Sequence, residues 1–124
     1  MVPQPRSADH ELIAAGGHMS LHLRHPGART VLVAVSGEVD LSTARRLDEV
    51  LQSRIHDRVE EVVIDLSAVT FFSVAGLNSL LRAQLLADAT GAHLSVDAGR
   101  SRAVRRLFTL LPADFDTVAA NVRP

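Results

Sequence analysis

Residues Glu61 to Leu66 form an almost unbroken apolar run, and a leucine-rich stretch compatible with a helix follows from about Val74 to Ala89. A strand that is apolar on both sides must be covered on both faces, as strands inside a parallel or mixed sheet are. A helix directly after it supplies the crossover that a parallel neighbour requires. This strand and helix together restrict the chain to a layered α/β architecture. The remainder follows the same alternation. Met19-Ser20-Leu21-His22-Leu23 alternates apolar and polar, Pro26-Gly27-Ala28-Arg29 is a turn, and Thr30 to Val35 is β-branched and apolar, which predicts an antiparallel hairpin. Gly37-Glu38-Val39-Asp40 leads into a helix that Ser42 or Thr43 can cap. Its Leu47, Val50, Leu51 and Ile55 recur at helical spacing, with Arg45, Arg46, Asp48 and Glu49 left for solvent.

In the second helix the stripe is read as Leu77, Leu80, Leu81, Leu85 and Asp88/Ala89, with Gly91 placed for a left-handed cap. His93 to Val96 is a further strand. Arg102 to Leu111 is a third helix with Val104, Leu107, Phe108 and Leu111 facing inward, stopped by Pro112. Phe115 to Ala119 fits either a short strand or a short helix. The expected fold is α/β: a mixed sheet of four to five strands, opened by a β-hairpin, with helices packed mainly on one face. At 124 residues and 47% hydrophobic content the chain suits one domain. Residues 1–17, with Pro3, Pro5 and Gly16-Gly17, are read as a flexible lead-in to a single domain over 18–124.

Composition removes several function classes. The chain has no cysteine and no lysine, which excludes disulfides, thiolate chemistry, Schiff bases and a phosphate-gripping lysine. A net charge of -1 gives no basic field for direct nucleic-acid binding. No apolar run is long enough to cross a bilayer, and Met1 to Asp9 lacks the apolar core of a signal peptide, so a cytoplasmic protein without membrane insertion is expected. The six histidines, His10, His18, His22, His25, His56 and His93, lack the partners of a metal set. Aromatic residues are only 3%, and few polar groups converge, so neither a cofactor nor catalytic residues are expected.

The segment Phe72-Ser73-Val74-Ala75-Gly76 joins a strand end to a helix start, the edge where α/β sheets bind ligands and partners and where helix amides favour an anion. Read by its residues alone, Ser73 is a helix cap and Gly76 permits close packing. Asp40 reads as a turn or capping carboxylate. Asp65, at a strand end, suggests a phosphoaspartate receiver, but that chemistry needs a lysine and paired acids, so Asp65 is assigned to the amides of the turn before Val69. Arg100, Arg102, Arg105 and Arg106 cluster at the third helix and read first as a solvated face; a docking patch for acidic side chains is the sharper alternative.

Two segments, Gly37-Glu38-Val39-Asp40-Leu41-Ser42-Thr43-Ala44 and Val62 to Leu81, closely resemble the motifs of the STAS domain family in its anti-sigma factor antagonist form. The resemblance runs from about residue 19 to the C-terminus. It implies a non-enzymatic switch that binds an anti-sigma factor, itself a serine kinase of the histidine-kinase-like ATPase fold, and so frees a sigma factor. The family usually has Asp-Ser-(Ser/Thr)-Gly-Leu where this chain has Ser73-Val74-Ala75-Gly76-Leu77. Ala75 therefore stands at the phosphoacceptor position and Ser73 at that of the Asp, which implies no phosphorylation switch at this loop, with Ser73 as a minority phosphosite. By the same resemblance Asp40, Ser42, Thr43, Ser73, Val74, Ala75, Gly76 and Asn78 form the partner surface, and a weak homodimer is compatible with it. A non-phosphorylatable STAS adaptor subunit of a transporter or other signalling complex is the alternative implied function.

Overall fold

The computed structural model describes residues 10–109 and 122–123, and side chains over 17–109. Its elements are β1 (His10–Gly16), β2 (Met19–Gly27), β3 (Thr30–Val39), α1 (Leu41–Arg54), β4 (Glu61–Phe72), α2 (Val74–Thr90), β5 (His93–Asp97), α3 (Arg102–Phe108) and β6 (Val122–Arg123). They form a six-stranded sheet in the order β1-β2-β3-β4-β5-β6. The pairings β1–β2 and β2–β3 are antiparallel, and β3–β4, β4–β5 and β5–β6 are parallel. The expected mixed α/β sheet with its antiparallel opening is present. It is wider than expected, because β1 and β6 add a strand at each side. Part of the stretch read as a flexible lead-in is thus a strand from His10 onward. The reason lies in β2, whose outer backbone groups would otherwise be a bare sheet edge. Phe115 to Ala119, Leu111 and residues 1–9 lie outside the described residues.

One apolar cluster fills the helix-covered face. It takes Met19, Leu21 and Leu23 from β2, Val31, Val33 and Val35 from β3, and Val62, Ile64 and Leu66 from β4. The helices contribute Leu47, Leu51, Leu80, Ala83, Ala87 and Val104 among others. Alternate residues of β3, Leu32, Ala34 and Ser36, are only half-buried on the opposite face. At about 1.5–3 kcal/mol for each fully buried Val, Leu or Ile, this face outweighs any surface ion pair in the structure.

β4 runs six residues beyond the predicted end at Leu66. Its inward residues are Val62, Ile64, Leu66, Val69 and Phe72. The spacing changes from two to three because β4 carries two bulges against β3, one after Asp65 and one before Phe71. Each bulge adds one residue and returns the next apolar side chain to the core. The first coincides with a local turn in which Asp65 Oδ1 accepts from the Ser67 amide at 2.9 Å and from the Ser67 hydroxyl at 2.6 Å. This is the turn-bonding role expected of Asp65. At the second, Thr70 Oγ1 donates to the Gly37 carbonyl at 3.2 Å. Gly37 itself has φ 88°, and a Cβ there would collide with the His18 carbonyl, so only glycine fits.

The first helix is capped by Asp40, not by Ser42 or Thr43. Asp40 Oδ1 accepts from the Ser42 and Thr43 amides, each at 3.0 Å, while Thr43 Oγ1 accepts from the Asp40 amide at 2.9 Å. Thr43 falls at the third helical position, where its hydroxyl can close the reciprocal capping box. In α2 the buried positions are Gly76, Leu77, Ser79, Leu80, Ala83, Gln84 and Ala87. Leu85, expected inside, is 60% exposed. Leucines occur around most of this helix, and the face with small alanines is the one that can approach the sheet. Gly91 closes the helix with φ 81°, as expected.

Two substitutions test this account. A Cβ on Gly76 would sit 2.7 Å from the Phe72 ring and 2.9 Å from Val39 Cγ1. Overpacking costs about 1–3 kcal/mol and helix propensity returns at most about 1, so Gly76→Ala lowers stability by about 1–2 kcal/mol and Gly76→Val by more, read from urea midpoints. For Asp40, the Thr43 amide above all, then the Ser42 hydroxyl, holds the carboxyl below its ordinary value of 3.8. A carboxyl with a lowered folded-state value stabilises the fold fully above its unfolded value, about 3.9, and loses this as pH falls through the folded one. Asp40→Ala therefore lowers the melting temperature at neutral pH, and its gap to wild type narrows when melts are repeated below about pH 4.

Candidate functional site

Val39 and Phe72 end β3 and β4 in register. The Ser73 amide then donates to the Val39 carbonyl at 2.9 Å. Because both strands run in the same direction, α1 and α2 start side by side at the carboxyl edge of the sheet, where such folds place their binding sites. The helices stay together beyond their first turns. Buried Ser79 Oγ donates to the Ala44 carbonyl at 3.3 Å, and Arg82 Nε meets Asp48 Oδ1 at 2.9 Å. Between them lies a groove of about 330 Å³ lined by Leu41, Ala44, Arg45, Asp48, Ala75, Asn78 and Arg82.

The two helix starts differ electrostatically. The first-turn amides of α1 are occupied by Asp40. Those of α2 receive no side-chain cap, although Ser73 holds the N-cap position with extended φ and ψ. Its hydroxyl is shut off from solvent and has no hydrogen-bond partner. The expectation that Ser73 caps a backbone amide is therefore not met. The bond from its amide to Val39 fixes the residue against β3, and the side chain is held inside. The first turn of α2 thus leaves amides and a positive dipole end without a local carboxylate.

The eight residues assigned to a partner surface separate into two groups. Ser42, Val74 and Asn78 are exposed, and Ala75 is half-buried on the groove between the helices. Thr43 and Gly76 are buried, while Asp40 and Ser73 are committed to holding the two helix starts. The second group shapes the edge and the first presents it. Leu41 was missed by sequence reading. It is 83% exposed at the first position of α1, and Val74 is 59% exposed at the matching position of α2. Two apolar side chains at adjacent helix starts, each immediately after its cap, are the signal that could have found the pair. The edge therefore offers apolar contact flanked by Arg45, Asp48 and Arg82, and it holds no exposed nucleophile at Ala75.

Of the histidines, His18, His25, His56 and His93 are exposed, and His22 is half-buried. Among the described residues no three His, Asp or Glu side chains are grouped so as to hold a metal ion. No described helix is long and apolar enough to cross a membrane.

The family model described as Mlab, STAS domain, matches residues 21–117. No curated protein sequence matches the chain. Among solved structures, an anti-sigma factor antagonist from Mycobacterium paratuberculosis is similar at 26% identity, with a TM-score of 0.71 and coverage of 90% of this chain and 91% of that one. The anti-sigma factor antagonist SpoIIAA in its unphosphorylated form shares the fold at 16% identity, TM-score 0.68, over 83% of this chain and 85% of its own. The STAS domain of a SulP transporter from Vibrio cholerae does so at 21% identity, TM-score 0.55, over 81% and 76%. With most of its length matched by the family model, its six-stranded mixed sheet and its paired helix starts, the chain belongs to the STAS domain family.

Proposed function

We infer that the protein is an anti-sigma factor antagonist: it binds an anti-sigma factor of the serine-kinase type through the edge formed by the starts of α1 and α2, and so releases a sigma factor. The observation that carries this reading is the joined edge on which Leu41 and Val74 stand exposed beside Ala75 and Asn78, in a fold similar to that of a solved antagonist along nine-tenths of its length. Binding energy at such an edge comes from a few buried apolar anchors surrounded by polar contacts. The protein is not an enzyme on this reading, and it acts in the cytoplasm.

The loop of Ser73 and Ala75 on this edge lacks the means of being switched off by phosphate. Ala75 has no hydroxyl, and the Ser73 hydroxyl is closed to solvent. A kinase must bring its acceptor oxygen into line with the transferred phosphoryl group, which a hydroxyl fixed inside the domain cannot do. The antagonist therefore acts constitutively and is governed by its abundance or by another signal. A second reading is favoured by two observations: a transporter STAS domain shares the fold, and the matching family model carries the Mlab name. In it the chain is an adaptor subunit of a transporter or other signalling complex.

Immobilised protein, exposed to lysate of its source organism with ADP present, is expected to capture a small kinase-like anti-sigma factor, identified by mass spectrometry. A transporter ATPase in its place selects the second reading. Leu41→Asp and Val74→Asp, both at exposed sites, each weaken the capture about tenfold or more, because each buries a charge at the centre of the contact. With the captured kinase and ATP, wild type incorporates no phosphate at this loop, whereas Ala75→Ser does. Phosphate found on Ser73 of the wild type overturns the unswitched reading.

A further inference from the structure

A second surface lies on the other side of the Phe72–Ser73 junction, between the outer half of β4 and α3. It shares no lining residue with the groove between α1 and α2. Beyond Asp65, β4 has no strand beside it on the β5 side among the described residues, because β5 pairs only with Glu61 to Asp65. Instead α3 packs along it, held by Ser101 Oγ donating to the Val69 carbonyl at 2.6 Å. Two recesses remain between them. One, of about 300 Å³ and mostly apolar, is lined by Phe71, Phe72, Ala103, Arg106 and Leu107. The other, of about 340 Å³, shares Ala103 and is bordered by Thr70, Arg100 and Arg102. Phe71 is 50% exposed at the mouth of the first.

The charged residues that line these recesses are all arginine, and the nearest acid on the neighbouring strand is Glu38, in register with Phe71. Arg100, Arg102, Arg105 and Arg106 are all exposed, and no acidic residue occurs between Ala98 and Thr109. The salt bridges among the described residues use Arg29, Arg46 and Arg82, none of these four. Arg105 Nε is turned to the Gly99 carbonyl at 2.6 Å, and Asp97, the nearest acid in sequence, accepts from the Gly99 amide at 3.0 Å. Four like charges within seven residues of a chain with net charge -1 repel one another. They are placed next to an apolar recess with room for a large side chain.

We propose that this face is a docking site for an acidic protein segment that carries one aromatic or large aliphatic anchor. The anchor enters the recess beside Phe71 and Leu107, and carboxylates on either side of it pair with Arg102, Arg106 and Arg100. Guanidinium groups favour carboxylates through paired donors, and the concave apolar recess supplies what a purely ionic patch lacks. A membrane surface fits less well, since bilayer contact is made by protruding apolar groups and not by a concavity.

The full chain, labelled with nitrogen-15, is titrated with a short synthetic peptide of alternating Glu and Asp around one central Phe. Amide shifts are expected at Thr70 to Phe72 and Arg100 to Leu107, with those of Leu41, Val74 and Asn78 unmoved. Raising NaCl from about 50 to about 500 mM weakens binding about tenfold or more. The surface variants Arg102→Glu with Arg106→Glu abolish it. Phe71→Ala, or a peptide with Ser for Phe, weakens it about fivefold or more at unchanged salt dependence. Absence of binding, or shifts confined to the groove between α1 and α2, overturns the proposal. So does binding indifferent to the Phe, which marks a non-specific ionic patch. Co-sedimentation with phosphatidylglycerol vesicles, lost in the double Arg variant and without any peptide binding, assigns the face to lipid and overturns it too. If Asp114→Asn with Asp116→Asn shifts the same amides with no peptide added, the chain itself fills the recess, and the proposal falls.

Discussion

The relative lengths of β3 and β4 decide where everything functional sits. The two strands start together at Thr30 and Glu61 and end together at Val39 and Phe72, although β4 is longer by two residues. Two bulges take up the difference. Without them the alternation of β4 would turn Val69 out of the core and carry Phe72 two residues past Val39, and the starts of α1 and α2 would no longer coincide. The devices that hold the bulges are small and local: the Asp65–Ser67 turn, the Thr70 hydroxyl on the Gly37 carbonyl, and a glycine where no side chain fits. The apolar cluster supplies most of the energy, but these contacts determine which edge the energy stabilises.

Much of this was legible in the sequence. Alternation over Met19 to Leu23, the apolar run of Glu61 to Leu66 and the helical spacing of Leu47, Leu51 and Ile55 follow from periods of two and 3.6 that packing preserves. The strand β4 was lost after Leu66 because its inward spacing changes to three, which resembles neither period. Strand β1 has no such pattern, since it is defined by the open edge of β2 that it covers. The cap of α1 was ambiguous because Asp40, Ser42 and Thr43 all suit the role, and only the reciprocal geometry with Thr43 selects Asp40. In α2 the expected stripe holds at Leu77 and Leu80, which are buried, and drifts off the buried face at Leu85 and Asp88/Ala89, because leucine is not confined to one side. Small residues, here Ala83 and Ala87, mark the buried side better than large ones.

The sequence marks the segment after β4 as a strand end that leads into a helix start, and the chemistry of that edge was less legible. Spacing alone cannot tell that the Ser73 hydroxyl is enclosed, because that depends on the Val39 carbonyl reached through the strand register. Nor does it show that Leu41 and Val74 occupy equivalent positions on neighbouring helices. One helix start is neutralised by its own carboxylate and the other is left open. The edge thus has a direction, with a closed side at Asp40 and a side of positive potential at Val74 and Ala75.

The short helix α3 has one more consequence. Seven residues are too few for a helix to be stable in water without tertiary support. Here the support comes from Val104 in the core and from Ser101 on the Val69 carbonyl. In return the helix lies along the side of β4 away from β3, where beyond Asp65 no strand pairs with it among the described residues. An open strand of this kind, apolar at every inward position, would be a template for other chains. By its position α3 covers the side of β4 on which edge-to-edge assembly would otherwise begin.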